Sequence, residues 1–187
     1  MDGYFQTINK IKEEVCYVER NIREALSIAN RNKIHYVLPD PDIKKSGYCV
    51  TDPTGTDHLQ KLIMTKERFL IPNVVFEPKS VGLDQGGLTE TLFESIHSIH
   101  PDFYGPAVGN ISLVGCNTMF DGFYKKFCEE VRANTNQFCD IGVEHIKDEN
   151  AILKGMNSFT LGETFADLAF AKQMYNERGG SFLATLF

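Results

Sequence analysis

The sequence predicts an α/β protein, and three observations predict it. Amphipathic helical runs alternate with short apolar runs rich in β-branched residues. Proline and glycine punctuate the boundaries between them. No internal repeat or low-complexity tract points to a solenoid or a disordered chain. At 187 residues, with 42% of them hydrophobic, the chain can bury a real core. The coarse order is helix, strand, loop region, helix, strand, helix, strand, helix, helix, which suggests helices layered on a sheet.

Residues 4–28 read as one helix, because Ile8, Ile11, Val15 and Val18 recur at three- and four-residue spacing and no proline interrupts them. "HYVLPDPD" follows as a short strand that Pro39 and Pro41 end, since proline lacks the ladder donor. Residues 42–57 are polar and turn-rich and read as an exposed loop. In "KERFLIPNVVFEPKSVGLDQGG" the breakers Pro72, Pro78, Gly82, Gly86 and Gly87 allow only short pieces. "LTETLFESIHSI" is an amphipathic helix with Leu88, Leu92, Ile96 and Ile99 as its stripe, Phe93 beside it and Pro101 as its stop. "GNISLVG" is a strand, and the helix after it sets Phe123, Phe127 and Val131 at intervals of four, with Asp121 as the expected cap. "FCDIGVEHI" reads as another strand, "NAILKG" as a short helical turn, and "FADLAFAKQMYNERGG" as a helix ended by its glycines.

A formal charge of −6 gives no basic face for direct nucleic-acid binding. No apolar run is long enough to cross a bilayer as a helix. Five irregularly spaced cysteines suit a reducing compartment and show no zinc spacing. His97 and His100 stand three apart without a third ligand nearby, so no metal site is expected. Cys16 and Cys128 fall beside apolar stripes and read as inert thiols. No serine lies in a nucleophile-elbow context, and no phosphate-loop signature occurs, so the residues themselves indicate a non-enzymatic piece.

The stretch "SLVGCNTMFDGFYKKF" raises one functional question. A strand ending in glycine and leading to a helix frees amides that can face an anion, yet such turns are common corners of α/β folds.

Five motifs in order resemble those of actin. "IKEEVCYV" resembles I-K-E-K-L-C-Y-V, and "KERFLIPNVVFEP" resembles E-R-F-x-x-P-E-x-L-F-x-P. "VGLDQGGLTETLFESI" is similar to G-M-x-x-x-G-I-x-E-T-x-x-x-S-I, "SLVGCNTMFDGF" to L-S-G-G-T-T-M-Y-P-G, and "AKQMYNERGGS" to K-x-E-Y-x-E-x-G-x-S. The chain is thus identified as a member of the actin-related protein family. "INKIKEEVCYV" and "YVLPDPDIKKSGYC" most resemble the actin-related protein 6 branch.

The resemblance implies an actin-like (ribonuclease H-like, Hsp70-type ATPase) α/β fold, with only its C-terminal half present and therefore incomplete. Residues 1–57 would be a remnant of subdomain 4 with a distinctive loop, 58–150 subdomain 3, and 151–187 the closing segment of subdomain 1. The closing helices around Phe165, Leu168, Phe170 and Tyr175 would then show an apolar face, and the isolated chain would self-associate.

The resemblance also implies a site: Lys12 and Glu13 against an adenosine, and Gly115, Cys116, Asn117 and Met119 on the turn near the adenine and phosphates. Cys116 stands where the family has a second glycine, Glu149 where actin has a lysine, and "ILKGM" where it has W-x-G-G. No cofactor is expected for this chain alone, and ATP only for a full-length parent. What the branch implies is a non-catalytic scaffold subunit of a nuclear remodelling complex that exchanges a histone variant. It would work beside a HIT-type zinc protein and reach nucleosomes indirectly, with no membrane and no sequence-specific nucleic-acid contact. The competing expectation is an actin-like ATPase or filament protein.

Overall fold

A computed structural model describes residues 2–29, 33–40, 46–52, 54–56, 58–162, 164–169 and 171–180. The chain divides into two compact units, Met1–Lys147 and Asp148–Phe187.

The first unit opens with α1 (Asp2–Val15) and α2 (Ile22–Ile28). The single helix expected over residues 4–28 is therefore two. Asn21 starts the second by accepting the Glu24 amide on its side-chain oxygen while its own amide group donates to the Glu24 carboxylate. That reciprocal pairing is a capping signal the apolar periodicity masked. Of the expected stripe, Ile11, Val15 and Val18 are buried, whereas Ile8 is 55% exposed.

Strands β1 (Ile34–Val37), β2 (Tyr48–Val50) and β3 (Lys61–Met64) form an antiparallel sheet in the order β2-β1-β3. Tyr36 lies opposite Cys49 on one side and Leu62 on the other. β2 sits inside the stretch expected to be loop, and β3 was not anticipated; each is too short to show a period. Residues 42–45, 53 and 57 of that stretch lie outside the described residues.

Helix α3 (Glu67–Asn73) carries Pro72, and a 3-10 turn at Pro78–Val81 follows, the short pieces that the breakers require. α4 (Leu88–Ser98) begins where the Gly87 amide donates to the Glu90 carboxylate. It buries Thr89, Phe93 and Ile96, with Leu88 and Leu92 packed against the same core, whereas Ile99 of the expected stripe is exposed. A 3-10 turn at Pro101–Phe103, capped by His100, and α5 (Tyr104–Val108) lead to β4 (Ile111–Leu113). His97 stacks on Tyr104. β4 pairs in parallel with β5 (Val143–His145), and between them runs α6 (Phe123–Asn134).

The largest core lies between α4, α6 and β4. Phe123, Phe127 and Val131 of α6 are 2%, 1% and 0% exposed, and the Phe76 ring sits 4.9 Å from that of Phe123. A second core joins α1 to the antiparallel sheet through Ile11, Val15, Cys16, Tyr36 and Met64. A third gathers Ala25, Ala29 and Phe69.

The second unit holds α7 (Ala151–Thr160), α8 (Phe165–Leu168) and α9 (Lys172–Arg178), so the expected closing helix is described as two, one ending at Leu168 and the next starting at Lys172. Gly179 ends α9 with φ +74°, a positive value that favours glycine, at the stop that the terminal glycines signal. Phe165, Leu168 and Tyr175 are exposed, and Phe170 lies outside the described residues.

One polar cluster is set deep in the first unit. Lys126 of α6 donates to Asn73 Oδ1 at 2.8 Å, to Glu77 Oε1 at 3.2 Å and to the Glu19 carbonyl at 3.4 Å. The Asn73 amide donates in turn to the Phe69 carbonyl at 2.8 Å. Replacing Lys126 by methionine would leave a buried Asn73 oxygen without a donor, because Asn73 is 2% exposed. The expected loss is about 2–3 kcal/mol in urea unfolding. In a double-mutant cycle, Lys126→Met with Asn73→Leu should cost at least about 1 kcal/mol less than the two singles summed. Simple additivity would mean that the cluster is not a unit.

Candidate functional site

The end of α1 and the turn after β4 meet at one junction. The Val18 amide donates to the Asp121 carbonyl at 2.8 Å, and Tyr17 and Asp121 form an isolated parallel bridge. Gly122 follows with φ +83°, and a Cβ there would stand 2.3 Å from the Val18 carbonyl oxygen. Only glycine fits so close an approach in that conformation. Asp121 does not cap α6 with its side chain, as the sequence had suggested; Gly122 occupies the cap position, and Asp121 serves through its carbonyl.

Arg68 holds the same junction from α3. Its Nε donates to the Val15 carbonyl at 3.0 Å, its guanidinium lies 5.1 Å from the Tyr17 ring centre, and its carbonyl accepts the Tyr17 amide at 3.0 Å. Arginine suits this place because a planar cation can hydrogen-bond at its edge and stack on its face. The Val15 carbonyl is one of those that a helix end leaves unpaired. An open cleft of about 430 Å³ lies here, lined among others by Glu14, Cys16, Tyr17, Arg68 and Asp121.

The residues expected to face a nucleotide fall into two groups. Lys12 and Glu13 lie in the last turn of α1, the first half-buried and the second exposed. Gly115 opens the turn after β4 with φ +113° and nothing within 4 Å of where a Cβ would stand. Cys116, Asn117 and Met119 belong to a 3-10 turn, Cys116–Met119, and all three are exposed. Among the described residues no hydrogen bond or ion pair links Lys12 or Glu13 to this turn. Phe120 relates the two groups, since it packs against both the largest core and the α1 core. Glu149 is exposed just ahead of α7, in the second unit.

Sequence reasoning missed the groups that brace the turn. The Thr118 hydroxyl donates to the Gly115 carbonyl at 2.8 Å and lies 3.2 Å from His145 Nε2. His145 stacks on Tyr124 with ring centres 5.4 Å apart. A threonine three residues after a turn glycine was the available signal, because a short hydroxyl readily bonds back to a nearby carbonyl.

Electrostatics at the junction act on its thiols. Burial pushes the Cys16 thiol up, with Arg68 and Lys12 pulling the other way. Burial also raises the Cys49 thiol, helped by Glu14 and opposed by Arg68. Among the described residues no group of three or more His, Cys, Asp or Glu could hold a metal. Nor does any described constellation position phosphates, a cation and a water as phosphoryl transfer requires.

Comparison with known proteins gives a family match described as Actin over residues 3–186. The chain is 32% identical to "Actin-like protein ARP6" of Yarrowia lipolytica, an alignment covering 92% of this chain and 46% of that protein. It is 30% identical to "Actin-like protein ARP6" of Candida glabrata, covering 92% and 42%. It is 25% identical to "Actin-related protein 6" of Drosophila melanogaster, covering 92% and 46%. The chain thus spans a little under half the length of these relatives.

The match corrects the expectation that the resemblance is to a C-terminal half only. It runs from residue 3 to residue 186, so the actin-type α/β fold extends over nearly the full chain, from α1 through the closing helices.

The junction can be probed by its cysteines. Alkylation of the folded chain near pH 8 should label exposed Cys116 quickly and spare Cys16, which is 7% exposed and has its thiolate disfavoured by burial. Peptide mass spectrometry checks this. Equal labelling of the two thiols would show that the end of α1 is not packed as described.

Proposed function

The chain belongs to the actin family, and from that premise we propose that it serves as a non-catalytic actin-related scaffold subunit. Its setting is a nuclear chromatin-remodelling complex that exchanges a histone variant. The observation that carries this reading is the similarity to relatives named actin-related protein 6, sustained over 92% of this chain. The physical properties agree with it. A chain of net charge −6 is poorly suited to hold DNA phosphates directly, which agrees with an indirect association with nucleosomes through other subunits, in a complex that includes a HIT-type zinc protein. The surfaces offered to such partners are the exposed described parts of residues 40–57 and the apolar start of α1. There Tyr4, Phe5 and Ile8 are 82%, 66% and 55% exposed. Affinity purification of the full-length parent from nuclei, followed by mass spectrometry, should return remodeller subunits. Recovery of cytoskeletal filament proteins alone would reject the scaffold reading.

One observation favours a nucleotide in the full-length parent, the runner-up actin-like ATP-binding reading. Gly115 presents bare backbone to open space at the start of the turn. Lys12, Glu13, Gly115, Cys116, Asn117 and Met119 would then line one wall of the pocket. The side chain at Cys116 and the anion at Glu149 weigh against tight binding. Calorimetric titration of the parent with ATP and magnesium should therefore give weak heat or none. Tight saturable binding would move the parent toward the ATPase class.

A further inference from the structure

The Thr118 hydroxyl has one hydrogen to give and two acceptors within reach. The Gly115 carbonyl accepts the Thr118 amide at 3.0 Å and the Thr118 hydroxyl at 2.8 Å, which closes the turn on itself. His145 Nε2 lies 3.2 Å from the same hydroxyl oxygen. With its hydrogen committed to Gly115, that oxygen can only accept from the imidazole. Nε2 must therefore carry a hydrogen.

The fold dictates this meeting. His145 is the register partner of Leu113 in the β4–β5 pair and projects from the same face of the sheet, the face that α6 covers. There its ring lies parallel to that of Tyr124, with 8° between the planes. Tyr124 is itself tied to β5, since its hydroxyl donates to the Val143 carbonyl at 3.2 Å. The stack fixes the plane of the imidazole and holds Nε2 against the turn. Gly115, Thr118, Tyr124 and His145 all belong to the first unit.

Few other groups near the ring can titrate. β4 contributes apolar Leu113, the turn contributes the exposed Cys116, and α6 contributes Tyr124 with Cys128 one helical turn on. The Cys128 thiol hydrogen-bonds Tyr124 and holds its phenol above the ordinary value, so Tyr124 stays neutral across the neutral range. On the histidine's own strand Glu144 is exposed and alternates to the opposite face, and Lys147 is exposed past the strand's end. Among the described residues, no hydrogen bond or ion pair is made by Nδ1 of His145.

We propose that His145 is a proton-operated latch on the turn from Gly115 to Met119. The imidazolium carries a hydrogen on both nitrogens, so Nε2 can only donate and the Thr118 hydroxyl is left to Gly115. That is the closed state. The neutral ring carries a hydrogen on one nitrogen alone. With it on Nε2 the latch stays closed. With it on Nδ1, Nε2 becomes an acceptor, draws the Thr118 hydrogen to itself and takes it from the Gly115 carbonyl. Uptake of a proton at His145 therefore stiffens the turn, and its loss leaves closed and open forms in exchange. The turn carries exposed Cys116, Asn117 and Met119, so the proton sets how firmly these are presented, whether or not the parent binds a nucleotide there.

Nuclear magnetic resonance of the full chain tests the latch in two ways. Nitrogen-15 labelling of histidine, with the His145 signal identified by its loss in His145→Phe, should show a neutral ring protonated mainly on Nε2. A neutral ring protonated on Nδ1 alone would overturn the proposal. Hydrogen exchange reads the turn itself. Corrected for intrinsic exchange, the Thr118 amide should be about two- to tenfold better protected at about pH 5 than at about pH 8, the worth of one hydrogen bond. That dependence should survive Thr118→Ser, which keeps the hydroxyl. It should vanish in Thr118→Val, which lacks one, and in His145→Phe, which keeps the stack on Tyr124. Thermal melting checks that the variants fold, and the nearly isosteric Thr118→Val decides the matter should the phenylalanine variant fail. Protection that ignores pH in the unaltered chain, or that changes equally in folded Thr118→Val, would also overturn the latch.

Discussion

Lys126 brings a positive charge to a place where 6% of its side chain is exposed, and three separate stretches of chain answer it. A buried ammonium without partners would be strongly destabilising, so its position constrains everything that supplies an acceptor. Asn73 comes from the end of α3, Glu77 from the link after it, and the Glu19 carbonyl from the connection between α1 and α2. The Phe76 ring, 5.2 Å from the ammonium, adds a polarisable face and also belongs to the largest core. The cation therefore fixes direction where the surrounding apolar contacts fix only proximity.

The junction at the end of α1 inherits that placement. Glu19 and Val18 are neighbours, and Val18 donates to Asp121 five residues before Lys126 in the chain. Holding Glu19 over α6 thus also holds the α1 exit against the turn that precedes α6. Arg20 adds a two-pronged pairing with Glu129 one turn along α6. That pair is half-exposed and contributes little stability in water, so it steers more than it secures. The turn of Cys116–Met119 is braced separately, through Thr118 and His145. Its exposed outer side chains, Cys116, Asn117 and Met119, can consequently change without loss of the fold.

Helices with a clean apolar period were legible in the sequence. Phe123, Phe127 and Val131 read directly as a buried face because one physical quantity, burial at helical spacing, decided them. Breaks made by polar chemistry were not. Asn21 and Glu24 split the first helix by capping, a local bond that leaves the apolar spacing undisturbed. β2 and β3 escaped notice because three or four residues cannot display alternation, and their pairing with β1 is settled by partners distant in the chain. At the candidate site, Gly115, Cys116 and Met119 were recognisable from a motif. Thr118 and His145 were not, because what they do depends on β5 lying beside β4. Arg68 was hidden for the same reason, since nothing near it in sequence marks it as the holder of α1.

The Glu19–Lys126 bond has a consequence for biosynthesis. Its partners are 107 positions apart in the chain. At ribosomal speeds of about 5–20 residues per second, the first helix waits roughly 5–20 s after leaving the ribosome before α6 follows it out. During that interval Ile11 and Val15 have their own sheet to rest on, but Val18 lacks the α6 core against which the exit of the helix is fixed. The nascent chain is then most open to holding chaperones, and a pause in translation before residue 123 would lengthen that exposure.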